Sequence, residues 1–95
     1  MKEYELISYF VIGKHRGEIM DTSYALAKNW RDAAKKHEYV IKGKTKVAYR
    51  DGVKGKCFIH TLPGEHGFSP TNPYSKSKVC VFEMKKGFKI GTKSI

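Results

Sequence analysis

The chain has 95 residues, 40% hydrophobic and 29% charged, the size and balance of one small globular domain (residues 1–95). Nineteen Lys and Arg against nine Asp and Glu give a formal net charge of +10. No apolar run approaches the ~20 residues needed to span a bilayer, and five Phe, six Tyr and one Trp are too many aromatics for a disordered tail.

Residues 4–12, Tyr-Glu-Leu-Ile-Ser-Tyr-Phe-Val-Ile, are nearly continuous in apolar character and predict a central strand. Glu3 and Glu5 precede any apolar core, which gives the expectation of no secretory leader and a cytoplasmic protein. Gly13-Lys14-His15-Arg16-Gly17 reads as a turn, with Glu18 to Met20 as a short return strand. Asp21, Thr22 and Ser23 are each able to cap a helix, and Leu26, Trp30, Ala33, Ala34 and His37 recur at helical spacing, so a helix is expected over about 22–38. Trp30 is its expected anchor against the sheet.

Beyond the helix the pattern turns to β. Ile and Val number thirteen against three Leu, a ratio that favours strands. Tyr39-Val40-Ile41 is β-type, and residues 45–50 read as a strand. Asp51-Gly52 is a strong hairpin turn, because both residues tolerate positive φ, and Cys57 to Leu62 is the returning strand. Residues 63–76 form a long Pro- and Gly-bearing loop, a length often functional or mobile. Lys78 to Met84 is an interior strand, Lys85-Lys86-Gly87 a turn, Phe88 to Ile90 a short edge strand, and 91–95 a frayed tail. The order implies an α+β fold: a mostly antiparallel sheet of about four to five strands with one helix packed on one face. The expected core is Leu6, Tyr9, Val11, Leu26, Trp30, Ala33, Val47, Ile59, Val81 and Phe82.

The charge is uneven. Residues 1–34 carry five basic and five acidic side chains, so residues 35–95 hold the whole excess, with fourteen basic and four acidic. A magnitude of about 2–8 suffices for solubility, so the excess points to an anionic partner: nucleic acid or an acidic protein surface. Sixteen Lys against three Arg favour contact with a phosphate backbone over base reading, since Lys lacks the guanidinium fork. The expected binding residues are Lys42, Lys44, Lys46, Arg50, Lys54 and Lys56 in one hairpin region, extended by Tyr74, Lys76 and Lys78. Of these, 42, 44, 46 and 50 share a parity that places them on one face of a regular strand. The competing reading is a solvated sheet face whose lysines block edge-to-edge pairing.

Other chemistries are weaker. Cys57, His60, His66 and Cys80 are zinc-type residues, but the odd offset of Cys57 and His60 places them on opposite faces of a strand, so no metal site is expected. Both cysteines are expected as buried, reduced thiols; a disulfide between them requires neighbouring strands. His15, His60 and His66 with nearby lysines suit a metal-independent ribonuclease only if they converge. The Gly13–Gly17 turn lacks the rest of any nucleotide-binding fingerprint, and the mixed charge of the helix does not suit a membrane surface. The sequence thus predicts a non-enzymatic binding protein without cofactor that uses a lysine-rich hairpin and loop on nucleic-acid backbone. The alternative is an inhibitor of phage or mobile-element type docking on an acidic host protein, and the third reading is the ribonuclease toxin.

Overall fold

Residues 1–41, 43–62 and 71–84 are described by the structure, a computed structural model. Five strands follow in chain order: β1 (Lys2–Phe10), β2 (Ile19–Ala27), β3 (Lys46–Arg50), β4 (Val53–Thr61) and β5 (Lys76–Glu83). A single helix, α1 (Trp30–Lys36), separates β2 from β3. The strands form one antiparallel sheet in the order β2-β1-β5-β4-β3. The expected α+β class is thus the observed one.

The last of the described strands lies in the middle. β5 pairs with β1 on one side and β4 on the other, and so joins two local hairpins, β1–β2 and β3–β4. Its run Val79-Cys80-Val81-Phe82 is buried throughout: Val79 and Val81 lie under α1, and Cys80 and Phe82 are covered by neighbouring side chains on the other face. Tyr4, Leu6, Ala25, Ala27, Phe58, Val79 and Val81 point to the helix side, where they meet Ala33 and Ala34 of α1. Ile7, Cys57, Cys80 and Phe82 make a second, smaller cluster on the opposite face.

The main departure from the sequence-based expectation lies at residues 19–27. This segment is a nine-residue strand, not the start of a helix, and α1 has only seven residues. The alanines look helical, but Ala25 and Ala27 are small because the helix lies close above them, against Ala33 and Ala34. Leu26 belongs to the other face and is 51% exposed. The helix cap is therefore Asn29, whose side-chain oxygen accepts from the Asp32 N–H at 2.9 Å, while the Asp32 carboxylate accepts from the Lys28 N–H at 3.0 Å. At the other end Tyr39 N–H donates to Ala34 O and Glu38 N–H to Lys35 O. This is a Schellman closure with Glu38 in the left-handed region at φ 62°.

Short polar contacts then seal an edge. β2 borders the sheet, and its Leu26 and Tyr24 carbonyls accept from Lys36 Nζ at 2.6 Å and His37 Nε2 at 2.7 Å. Covering an edge in this way removes sites at which a second chain would pair. Tyr39-Val40-Ile41 is not a strand: Tyr39 and Ile41 pack on the core from outside the sheet. The Asp51-Gly52 turn forms as expected, with φ 50° and 80°. β4 begins earlier than expected, at Val53, and β5 at Lys76. Leu6, Ala33, Val81 and Phe82 are buried as expected, and Tyr9, Val11 and Trp30 are half-buried. Val47 and Ile59 are exposed, at 45% and 39%, because β3 is an edge strand and nothing described covers Ile59 on the open face. The expected turn at 85–87, edge strand at 88–90, tail at 91–95 and loop residues 63–70 lie outside the described residues.

The thiol expectation is corrected. Cys57 and Cys80 are direct cross-strand partners on β4 and β5 and form a disulfide. No sequence pattern fixed that register, so the neighbouring of the two strands was not legible. The 23-residue separation corresponds to about 3 kcal/mol of loop-closure entropy. Thiol titration of the unreduced protein should find no reactive thiol, and reductant should lower stability in urea unfolding by about that amount. Two titratable thiols with no response to reductant would show that the pair is not bonded.

Candidate nucleic-acid interface

Among the described residues nothing packs over the sheet face opposite α1. Pairing register fixes what that face carries. Directly paired residues share a side, so the rows Tyr24–Glu5–Phe82–Gly55–Ala48 and Thr22–Ile7–Cys80–Cys57–Lys46 cross it, followed by Tyr9–Lys78–Ile59 and Lys76–Thr61.

Two features give this face its shape. Gly55 sits beneath the Phe82 ring: a Cβ there would lie 2.5 Å from Phe82 Cδ1 and 2.7 Å from the Val81 carbonyl oxygen. Only a bare backbone lets the ring lie flat across β4. Above that row, Arg50 of β3 forms an ion pair with Glu5 of β1. β3 and β1 are three strand spacings apart, roughly 14 Å across a flat sheet, so the pair requires the sheet to curl toward this side. Tyr24 supports the acid, its hydroxyl donating to Glu5 at 3.3 Å.

The curl leaves a groove of about 540 Å³. Ala48, Cys80 and Phe82 form its floor, Tyr9 and Val11 its sides, and the exposed Arg16, Lys78 and Arg50 its margin. Arg16 arrives from the β1–β2 turn, which is closed by Gly17 N–H to Phe10 O at 2.8 Å and Phe10 N–H to Glu18 O at 3.0 Å. Gly13 and Gly17 hold positive φ there, at 84° and 90°.

The expected cations do not stay together. Lys46 and Arg50 lie on the open face, with Lys76 and Lys78 from β5. Lys54 and Lys56 pair with Tyr49 and Val47, and so lie on the helix side. The common parity of 42, 44, 46 and 50 holds only for the last two, because β3 begins at Lys46; Lys44 precedes the strand and Lys42 is outside the described residues. Arg50 is engaged by Glu5 and by Asp51 at 3.9 Å. Among the described residues Arg16, Lys46 and Lys78 form no ion pair.

Tyr74 stands at the same end of the sheet. It is 59% exposed, and its ring meets Phe10 edge-on at 5.5 Å; the His15 ring also lies 5.8 Å from Phe10. Asn72 holds the segment by accepting from Tyr74 N–H at 3.0 Å. Of the residues that line the groove, the sequence-based set contains Arg50 and Lys78 but not Tyr9, Arg16 or Phe82. The turn containing Arg16 was visible, but its approach to β5 depends on β1 pairing with the last strand.

The histidines divide. His15 is exposed and faces Glu18 at 3.3 Å. His60 is buried on the helix side, where its Nδ1 accepts from Val40 N–H at 3.0 Å and its ring meets Tyr39 at 5.0 Å. His66 is outside the described residues. His60 and Cys57 lie on opposite faces, as their odd offset requires, and Cys57 is taken by the disulfide. No group of three metal-ligating side chains occurs among the described residues. Nor is any helix among them long and apolar enough to cross a membrane. Comparison with protein-family models, curated proteins and solved structures finds no match to this chain.

Two predictions follow from this geometry. Gly55→Ala should destabilise the fold by about 1–3 kcal/mol, read by chemical unfolding, because the new Cβ would displace the Phe82 ring and press on the Val81 backbone carbonyl. Burial holds the His60 pKa below the ordinary histidine value, and the bond from Val40 exists only while Nδ1 is unprotonated. The unfolded chain then binds the proton more readily than the folded one. This contribution to stability is complete above pH ~6.5 and is lost as pH falls through the folded pKa. The thermal midpoint should drop from pH 7 toward pH 5, and His60→Gln should flatten that slope. An equal slope in the variant would place the effect elsewhere.

Proposed function

We propose that this chain is a non-enzymatic binding module that engages nucleic acid through its open sheet face, at the end where β1 finishes and β5 begins. The observation that carries the reading is the distribution of cations along the strands. At that end stand Lys14, Arg16, Lys44, Lys46, Lys76 and Lys78, while the adjoining β1–β2 turn and the start of β2 supply two acids, Glu18 and Asp21, the second of them paired with Ser8 on the helix side of the sheet. At the other end Glu3, Glu5, Asp51 and Glu83 offset the basic side chains, and Lys2 and Arg50 are drawn into ion pairs.

A surface of this kind binds phosphates by releasing counterions, and its affinity falls steeply with salt. Lysines spaced along a sheet follow a backbone without reading sequence. The binding set is accordingly Arg16, Lys44, Lys46, Lys76 and Lys78, with Tyr74 beside it. Lys54 and Lys56 face the other side, and Arg50 serves the shape of the groove. The reading does not depend on a cytoplasmic location. That expectation rested on the acidic N-terminal residues, and the Cys57–Cys80 disulfide is of a kind that persists in oxidising compartments.

Fluorescence anisotropy with labelled oligonucleotides over a salt series tests the proposal. Lys46→Ala with Lys78→Ala should weaken binding of every sequence and reduce the slope of log K against log salt by about 1.4 for a single strand, with the thermal midpoint unchanged. Loss of all wild-type binding at physiological salt would remove nucleic acid as the partner and direct the search to an acidic protein surface.

A further inference from the structure

We infer that the groove beside Tyr9 receives an unpaired base, so that the ligand is a single strand and not a duplex. This inference rests on the nucleic-acid reading above and concerns the same face. The surface has two chemically distinct parts. Its margin carries Arg16 and Lys78, exposed and without ion-pair partners among the described residues. Its interior is apolar and aromatic, with the half-buried Tyr9 at the side and Ala48 and Phe82 below. Phosphate alone satisfies only the margin, because an apolar floor offers an anion nothing in exchange for its hydration.

A ligand that satisfies both parts has a flat apolar group joined to an anion. A nucleotide with a free base is that ligand. The base stacks against the Tyr9 ring, which tolerates any base because each has a π-face. The flanking phosphates lie on Lys78 and on Arg16, whose planar guanidinium grips phosphate oxygens in pairs. A duplex keeps its bases stacked inside and presents phosphates only, so it leaves the groove empty. The cavity of about 540 Å³ is held open by structure that precedes any ligand: the Arg50–Glu5 bridge and the Phe82 ring seated on Gly55. The base therefore enters a formed site and does not have to create one, which lowers the ordering cost of binding.

The decisive probe is a strand without bases. Anisotropy competition at physiological salt compares a thymidine oligonucleotide with an abasic strand carrying the same number of phosphates, and with a duplex of equal length. The wild-type chain should bind the thymidine strand at least roughly fivefold more tightly than the abasic one. Tyr9→Phe should keep that ratio and Tyr9→Leu should abolish it. Equal affinity for the abasic and thymidine strands in the wild type would overturn base entry while leaving the backbone reading intact. That comparison needs no variant, so it stands even where Tyr9→Leu fails to fold. Preference for the duplex would overturn the single-strand assignment. Failure of every probe to bind would overturn the nucleic-acid reading itself, a result distinct from both.

Discussion

The fold depends on the docking of β5. Residues 1–62 supply two hairpins that form from local contacts, β1 with β2 and β3 with β4. A two-stranded hairpin alone is marginal in water. Only when Lys76–Glu83 enters between Lys2–Phe10 and Val53–Thr61 do the hairpins become one sheet, and only then is there a continuous apolar surface for α1. The residues of β5 suit that position. Val79 and Val81 complete the helix-side core, while Cys80 and Phe82 complete the opposite cluster. The disulfide to Cys57 fastens this late-arriving strand to the hairpin beside it. The first described strand paired with the last implies high contact order and slow folding; the covalent link closes the shorter, 23-residue connection from β4 to β5 and leaves the longer β1–β5 closure to pairing and packing.

What the sequence revealed follows from how locally each feature is determined. The Asp51-Gly52 turn, the interior strand around Val79–Phe82 and the helix end near His37 are each encoded within a few residues, and they are where residue types predict them. The segment 19–27 is not. Its alanines satisfy a helical pattern as well as a strand packed under a helix, and the choice is made by β1, which offers nine residues of pairing partner. The cysteines show the same limit. Their separation says nothing of whether β4 and β5 are neighbours, and the register that makes Cys57 and Cys80 partners is a property of the assembled sheet.

The basic face was legible in composition but not in arrangement. Lys46, Lys76 and Lys78 share a side because β3 and β5 lie either side of β4 in a common register. Lys54 and Lys56 fall on the other side for the same reason: the two-residue turn at Asp51-Gly52 fixes which residues pair. The groove was invisible for a different reason. It needs Tyr9, Arg16, Ala48 and Phe82 from four separate segments, and no pairwise spacing along the chain announces such a meeting.

The Arg50–Glu5 pair connects shape to charge. An arginine in a lysine-rich hairpin looks like the strongest ligand for a phosphate, since its fork binds two oxygens at once. Here that fork is turned inward across the sheet to a glutamate only 18% exposed. The pair reaches from β3 to β1 over Phe82 and Gly55, across a sheet whose coiling is a property of its strands. The same contact neutralises one end of that face, so the attractive potential is concentrated at the other, where Lys46, Lys78 and Arg16 stand. A hairpin that left Arg50 unpaired would spread the positive charge over both ends of that face.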